Sequence, residues 1–315
     1  MASLLNFFFI IMFFTFGHAD NRIGAIWNDE WHAMLPNTPM PNVIKDLIKT
    51  DANGRMSASR FPVHFIVNGS YNELIFFLYQ VDSKFVAGVH SLFLEKNMHP
   101  EMEIKGVSFA GTITGNTFIP RGEADSIPFS STKLNQILDR LSVAPESEAA
   151  KHVEETLRLC EQASHLEGEI KFCATSLESM IDFVISVLGS GDNLKVIATT
   201  VIDGKEETEY KITAEAMEMP GDNVVICHPM PYPYTVFYCH EVKATKAYVV
   251  PLVGKLGSIV SAVAVCHKNT ASLDPIIFKM LKARPGSPLC HFLHKDHLVW
   301  VPNNYLNPML HGESS

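Results

Sequence analysis

The sequence predicts an α+β fold in which a few helices precede a mainly antiparallel, disulfide-stapled β region in the C-terminal half. From residue 194 onward, runs of β-branched and aromatic residues alternate with Gly, Pro or charged residues, a pattern typical of strands. Upstream, two segments show the apolar spacing of three and four residues that indicates helices. Six cysteines, an even number, are available to cross-link such a fold.

The two helices are expected at residues 145–165 and 176–188. In the second, Ser176 is a suitable N-cap and Gly189 a suitable exit. A short helix is expected at 275–282. The strands are expected at 65–67, 74–79, 85–89, 104–109, 196–202, 210–214, 224–227, 235–242, 247–252, 259–266, 290–293 and 298–301.

The N-terminal residues predict the compartment. The apolar run 7–16 is too short to span a bilayer, and small residues at Gly17 and Ala19 fit a cleavage site. We therefore expect a signal peptide at 1–19, a secreted protein with no membrane span after signal removal, and a variable leader at 20–84. A folded domain at 85–305 and a C-terminal tail at 306–315 complete the expected organisation.

The leader is expected to be largely extended. Three prolines at 36, 39 and 41 exclude regular helix or central strand there, and a short helix is expected at 43–49. Trp27 and Trp31 lie before the prolines. Asn68 begins an Asn-Gly-Ser glycosylation acceptor beside an expected turn, which predicts a glycoprotein.

Composition excludes several classes of protein. Hydrophobic residues make up 47% and charged residues 19% of the 315, which excludes wholesale disorder. The formal charge is −9 with no Lys/Arg cluster, so no nucleic-acid partner is expected. The chain also lacks Gly-x-Ser-x-Gly, His-Glu-x-x-His and phosphate-loop motifs.

The most specific signal is a repeated Cys-His dipeptide. Four of the six cysteines are followed by histidine, and the intervals between the dipeptides are 10, 25 and 22 residues. Because successive side chains of a strand point to opposite faces, each dipeptide can direct its sulfur to one face and its imidazole to the other. The four dipeptides are Cys227-His228, Cys239-His240, Cys266-His267 and Cys290-His291.

Three interpretations of these dipeptides stay open from the residues alone. Four converging imidazoles suit copper or zinc, and a nitrogen-rich site without thiolate favours copper. Alternatively, the cysteines form disulfides beside surface histidines that bind no metal, or the cysteines themselves bind zinc. A histidine site requires neutral rings, so we expect its affinity to fall as the pH drops through about 6.5. Further histidines at 294 and 297, around Lys295-Asp296, are interpreted as solvated surface.

The array of dipeptides resembles the signature of the plant BURP domain. Residues 171–180 (KFCATSLESM), 247–253 (AYVVPLV) and 300–302 (WVP) are similar to other segments of that family. Residues 91–95 with His99-Pro100 resemble its opening, and the leader segment 35–41 resembles its short, repeat-free members. The resemblance covers about residues 91–302. Leu94 stands where the family has a second Phe, and the last interval is shorter than usual.

The resemblance implies a secreted plant protein of the apoplast, cell wall or storage vacuole. It implies a role in seed, anther or cell-wall development or in stress response, with a cell-wall component or a peptide as partner. One group of relatives serves as the non-catalytic subunit of a polygalacturonase. Another group comprises copper-dependent cyclases that crosslink a Tyr or Trp of a core peptide. By this resemblance the copper ligands are His228, His240, His267 and His291.

The cyclase alternative lacks an evident substrate within the chain. The leader region contains Trp27, Trp31, Tyr71 and Tyr79, yet no repeat and no recognisable core peptide. Aromatic residues in such places more often pack in a core. Two classes of function therefore stay open, a binding protein of the wall, seed or anther and an oxidative cyclase.

The resemblance also bears on the cysteines. The two cysteines outside the dipeptides, Cys160 and Cys173, are predicted to bond to each other at the join of the two helices. Three connectivities stay open for Cys227, Cys239, Cys266 and Cys290, and a bridge from Cys227 to Cys239 is one of them.

Overall fold

The computed structural model describes residues 19–48, 66–67, 92–163, 169–268, 270–271, 273 and 275–303. Residues 1–18 of the predicted signal peptide, the predicted glycosylation site Asn68, the strands expected at 74–79 and 85–89, and the predicted C-terminal tail lie outside the described residues. Within the described ranges, no helix has the length and apolar character needed to cross a membrane.

The helices follow from local sequence signals. Ser147 accepts a hydrogen bond from the Ala150 N–H, and Ser176 forms a capping box with Ser179, so both predicted long helices begin at a capped residue. Gly189 ends the second with a φ of 98°. The helices are α1 (Ala19–Met34), α2 (Asn42–Leu47), α3 (Arg121–Ala124), α4 (Leu134–Arg140), α5 (Glu148–Glu161), α6 (Leu177–Leu188) and α7 (Pro275–Met280).

The strands lie mainly in the C-terminal half and pair antiparallel, which confirms the predicted fold class. Before residue 194 they are β1 (Ile66–Val67), β2 (Leu92–Leu94), β3 (Glu103–Lys105), β4 (Ile113–Thr114) and β5 (Ile170–Ala174). After it they are β6 (Leu194–Ile197), β7 (Thr200–Asp203), β8 (Glu209–Ile212), β9 (Met217–Glu218), β10 (Asn223–Met230), β11 (Val236–Lys243), β12 (Thr245–Gly254), β13 (Ile259–His267), β14 (Leu289–Leu293) and β15 (Leu298–Pro302).

Most of these strands form two sheets. The smaller sheet has the order β5-β11-β10-β15-β6. The larger sheet has the order β2-β14-β13-β12-β8-β3, with β7 added beside β13 and β9 beside β12. Separately, β1 pairs with β4.

The two sheets pack face to face. Ile226 and Val299 of the smaller sheet share one buried cluster with Val263, Val265 and Leu293 of the larger sheet. Each strand that contributes to this inter-sheet layer turns its alternate residues outward, as the period of two requires. Whatever lies on the inner faces is therefore shielded from water by both sheets.

Different elements cover the two outer faces. On the smaller sheet, α1 and α6 pack over the strands, and the ring centroids of Trp31 and Trp300 lie 5.9 Å apart. On the larger sheet, an aromatic cluster takes that place. The ring centroid of Phe109 lies 5.0 Å from that of Tyr210 and 5.8 Å from that of Phe292.

The expectation of an extended leader was wrong for residues 19–34, which form α1. Trp27, Trp31 and Leu35 are spaced by four residues, so a helix places them on one side, and all three are buried against the smaller sheet. The Trp31 indole N–H also donates to the Thr38 carbonyl at 2.6 Å. Trp27 and Trp31 are thus part of the core of the domain.

Candidate metal centre

The four cysteines of the Cys-His dipeptides pair within two pairs of neighbouring strands. In the first strand pair, β10 and β11, Cys227 lies directly opposite Cys239 and is bonded to it. In the second strand pair, β13 and β14, Cys266 lies opposite Cys290 and is bonded to it. Both Cα–Cα distances are 4.0 Å. Of the three connectivities that the sequence left open, the structure has the one that follows strand register.

The third disulfide joins Cys160 to Cys173, the pairing predicted from the sequence, and none of the six cysteines is free. Its surroundings differ from the expectation, because Cys173 lies on the strand β5 and not at the join of two helices. Strand β5 forms the edge of the smaller sheet beside β11. The disulfide therefore anchors this edge strand to α5.

Strand alternation places all four imidazoles between the sheets. His240 lies directly opposite Ile226, and His291 lies directly opposite Val265; both partners belong to the inter-sheet cluster. His228 and His267 follow the same parity on β10 and β13. The sulfurs lie on the outer faces, in the clusters beneath α1 and around Phe109. We call His228, His240, His267 and His291 the imidazole cluster.

Within each strand pair the two rings approach through the same atom, Nε2. The Nε2 atoms of His228 and His240 are 3.2 Å apart, and those of His267 and His291 are 3.4 Å apart. Two imidazole nitrogens at about 2.0–2.1 Å from one tetrahedral ion are separated by about 3.3 Å. Each pair therefore has the spacing of two ligands of one ion.

The spacing expected of metal ligands is found within each strand pair. Across the described residues, no three or more His, Cys, Asp or Glu side chains are arranged as a ready metal site. The donor chemistry agrees with a metal that prefers nitrogen, because the disulfides leave no thiolate and all four inward atoms are imidazole nitrogens.

The other ring nitrogen, Nδ1, is engaged in all four rings. For His240 the partner is a Glu169 carboxylate oxygen at 2.6 Å, and for His291 the Phe292 carbonyl at 3.3 Å. Both oxygens only accept, so Nδ1 carries the proton in these two rings and Nε2 keeps a lone pair directed inward. The other two contacts are His267 Nδ1 to Thr245 Oγ1 at 3.1 Å and His228 Nδ1 to His297 Nδ1 at 3.0 Å.

Burial keeps three rings of the cluster neutral. It lowers the pKa of His267 to about 3 and that of His291 to about 4, the latter partly offset by the Phe292 carbonyl. Burial also lowers the pKa of His228 well below its ordinary value, with smaller contributions from His297 and then from the other rings of the cluster. Because neutral imidazole is the form that binds metal, the binding form of these three rings persists far below the pH of about 6.5 expected from the sequence.

The sequence analysis missed three residues beside the cluster. His294 and His297 were interpreted as solvated surface, but they are 7% and 3% exposed. They lie in the short connection between β14 and β15, which crosses from the larger to the smaller sheet. Of this four-residue connection only Lys295 is exposed, whereas His294, Asp296 and His297 are buried. The apolar residues on both sides of the connection were the available signal. No pattern in the sequence around Glu169 indicated that it lies beside the cluster.

Comparison with known proteins identifies the family. Residues 91–302 match the BURP domain. The chain is 48% identical over 218 residues to BURP domain-containing protein 3 of Oryza sativa subsp. japonica, covering 66% of this chain and 50% of that protein. It is 41% identical over 280 residues to BURP domain-containing protein 5 of the same species, covering 86% of this chain and 85% of that protein.

A relative from a second plant agrees. The chain is 43% identical over 215 residues to BURP domain protein RD22 of Arabidopsis thaliana, covering 66% of this chain and 54% of that protein. The chain thus spans about half the length of the rice protein 3 and of the Arabidopsis protein, and most of the rice protein 5. The matched region contains both strand pairs and the whole imidazole cluster, and the chain belongs to the BURP-domain family of plant proteins.

Proposed function

We propose that this chain is a secreted BURP-domain protein that binds copper through its imidazole cluster and acts in the cell wall, seed or anther, or in stress response. The observation that carries the proposal is the inward approach of four Nε2 atoms from two disulfide-linked strand pairs. His228, His240, His267 and His291 would hold the ion. Bound copper supplies one-electron chemistry that protein side chains lack.

The chain's own residues prepare such a site. The cross-strand disulfides fix the separation of the strands that carry each ring pair, so little ordering is left for the moment of binding. Burial between the two sheets keeps His228, His267 and His291 neutral, which reduces proton competition at these rings. Partners on Nδ1 hold each ring so that Nε2 faces inward.

Secretion is supported by two features. The apolar segment 7–16 with small residues before position 20 fits a signal peptide. All six cysteines are in disulfides, which form and persist in oxidising compartments. We propose a component of the cell wall as the partner of this protein. Pull-down with wall polysaccharides or with a polygalacturonase tests this proposed partner.

The second candidate function is copper-dependent crosslinking of a Tyr or Trp in a core peptide. The all-nitrogen donor set supports the copper that this reaction requires. Trp27 and Trp31 do not suit the substrate role, since they are 4% and 0% exposed in the core beneath α1. A substrate aromatic would come from Tyr71 or Tyr79, which lie outside the described residues, or from a separate peptide. Incubation with copper and oxygen would then remove two hydrogen atoms per crosslink, detectable by mass spectrometry.

The decisive experiment is a copper titration of the secreted, disulfide-bonded protein after metal removal. We expect one Cu²⁺ per chain, with nitrogen hyperfine structure in the electron paramagnetic resonance spectrum. His228→Gln with His267→Gln should lose this signal, whereas His152→Gln on α5 should keep it. The absence of nitrogen-coordinated copper in the wild-type protein would refute the proposed function.

A further inference from the structure

We propose that Glu169 is a positioning residue that orients His240 and fixes its proton on Nδ1, so that Nε2 is the atom of His240 that binds copper. The inference rests on the proposed function, because it assigns the binding atom of that same site. It starts from a contact between two buried side chains: the Glu169 carboxylate lies 2.6 Å from His240 Nδ1, and the two side chains are 6% and 8% exposed.

The burial of this carboxylate requires an explanation. Removing a carboxylate from water is costly unless hydrogen bonds or charges compensate, and acidic side chains are seldom so buried without a partner. The residue directly precedes β5, which pairs with β11 so that Lys171 lies opposite His240. The Cys160–Cys173 disulfide anchors β5 to α5. The fold therefore holds the carboxylate at the outer nitrogen of His240.

The Glu169 contact sets the direction of a row of hydrogen bonds. A carboxylate only accepts, so His240 donates from Nδ1 and its Nε2 becomes an acceptor. In the metal-free protein, His228 then donates from its Nε2 across the 3.2 Å contact, and its own Nδ1 accepts from His297 Nδ1 at 3.0 Å. The nitrogen that carries the ring proton is thereby assigned for each histidine of the row His297–His228–His240–Glu169.

Without the carboxylate, the His240 end of the row no longer sets this direction. The row can reverse, so that His240 donates from Nε2 to His228, and the proton between the two rings then occupies the inward nitrogen of His240 in place of that of His228. Carboxylates that hold the outer nitrogen of a metal-binding histidine commonly matter for affinity, and their loss costs about 10–100-fold. In the second strand pair, Thr245 Oγ1 and the Phe292 carbonyl contact the corresponding nitrogens of His267 and His291.

The test measures the tautomer and the copper affinity separately. In ¹⁵N-labelled, metal-free wild-type protein, we expect ring-nitrogen shifts that place the His240 proton on Nδ1. Glu169→Ala should move this proton to Nε2 and weaken Cu²⁺ binding about 10–100-fold. The matched control is Glu155→Ala, which removes a Glu from a partly exposed His contact away from the cluster, His152 Nδ1 to Glu155 Oε2 at 3.5 Å, and should change neither readout.

Each outcome decides the inference. A wild-type His240 protonated on Nε2 in the metal-free protein overturns it, and this measurement needs no variant. Unchanged tautomer and affinity in Glu169→Ala overturn it as well. Should that variant not fold, Glu169→Gln, which keeps an oxygen acceptor, must retain the Nδ1 proton and bind copper more weakly than wild type; equal affinity contradicts the role. Wild-type protein with the expected tautomer and no copper binding would refute the proposed function alone.

Discussion

The two strand pairs repeat one local design with different supports. In both, opposite cysteines are bonded and the following histidines meet through Nε2 on the other face. In the first pair, the outer ring nitrogens contact Glu169 and His297, which are 71 and 69 residues away in the chain from their partners. In the second, they contact Thr245 on the neighbouring strand and a carbonyl one residue away.

This difference indicates that strand register produces the ring pairs, whereas side chains distant in the sequence set the charge and the proton positions around them. Register alone brings two imidazoles within 3.4 Å in the second pair, where the supports are local. In the first pair, a carboxylate and a third imidazole add charge and a defined proton arrangement. The first pair is thus the half of the centre whose properties depend on the tertiary fold.

The largest expected effect concerns whether the two pairs act as one site. If one ion is shared, His228→Gln/His240→Gln and His267→Gln/His291→Gln should each lower Cu²⁺ affinity by more than about 100-fold, because each removes two ligands. Isothermal titration at neutral pH checks this. A double variant that still binds one ion with wild-type affinity would show that each strand pair binds its own.

The next largest effect concerns the aromatic side chains packed behind the two strand pairs. Trp31→Ala beneath the first and Phe109→Ala beneath the second should each lower the free energy of unfolding by about 3–5 kcal/mol, because each empties a fully buried aromatic site. Urea denaturation measures both. Leu256→Ala, at a side chain 85% exposed, is the control and should change stability by less than about 0.5 kcal/mol. A similarly small change for Trp31→Ala would show that α1 does not stabilise the domain.

The disulfides should differ slightly in the same assay. Replacing both cysteines of either strand pair by Ala should cost about 3 kcal/mol, because the unfolded chain regains loop entropy. The sequence separations are 12 and 24 residues, so loss of Cys266–Cys290 should cost about 0.6 kcal/mol more than loss of Cys227–Cys239. The reverse order would indicate that native packing outweighs loop length.

The smallest effect is a pH dependence of the metal-free protein. Burial lowers the pKa of His267 to about 3 and of His291 to about 4, so unfolded rings take up protons near pH 6.5 while folded rings do not. Stability present above that pH is lost as the pH falls, by about 1 kcal/mol per histidine between pH 6.5 and 5.5. Denaturant midpoints should show this slope, and His267→Gln/His291→Gln should flatten it. An equal slope in both proteins would contradict the neutral, buried state of these rings.

Local signals were sufficient for part of the fold. The first long helix was predicted from the spacing of its apolar residues, and the second also from its N-cap Ser176 and its exit Gly189, which act on their own neighbours. The C-terminal strands were predicted because β-branched runs between turn residues are a local pattern. Helix α1 was missed, because the spacing of Trp27 and Trp31 is meaningful only if a sheet offers them a surface. Strand β5 was missed because an edge strand depends on its neighbour β11.

By itself, the sequence determined which side chains the candidate metal centre contains and that the sulfurs and the imidazoles lie on opposite faces of their strands. A Cys-His dipeptide on a strand sends sulfur and imidazole to opposite faces because backbone geometry alternates side chains with a period of two. Only the tertiary structure decided how the four cysteines of the Cys-His dipeptides bond, that the two ring pairs face one inter-sheet layer, and that Glu169 and His297 contact the first ring pair. Those contacts join residues about 70 positions apart, and their approach depends on the packing of whole sheets, which no local pattern encodes.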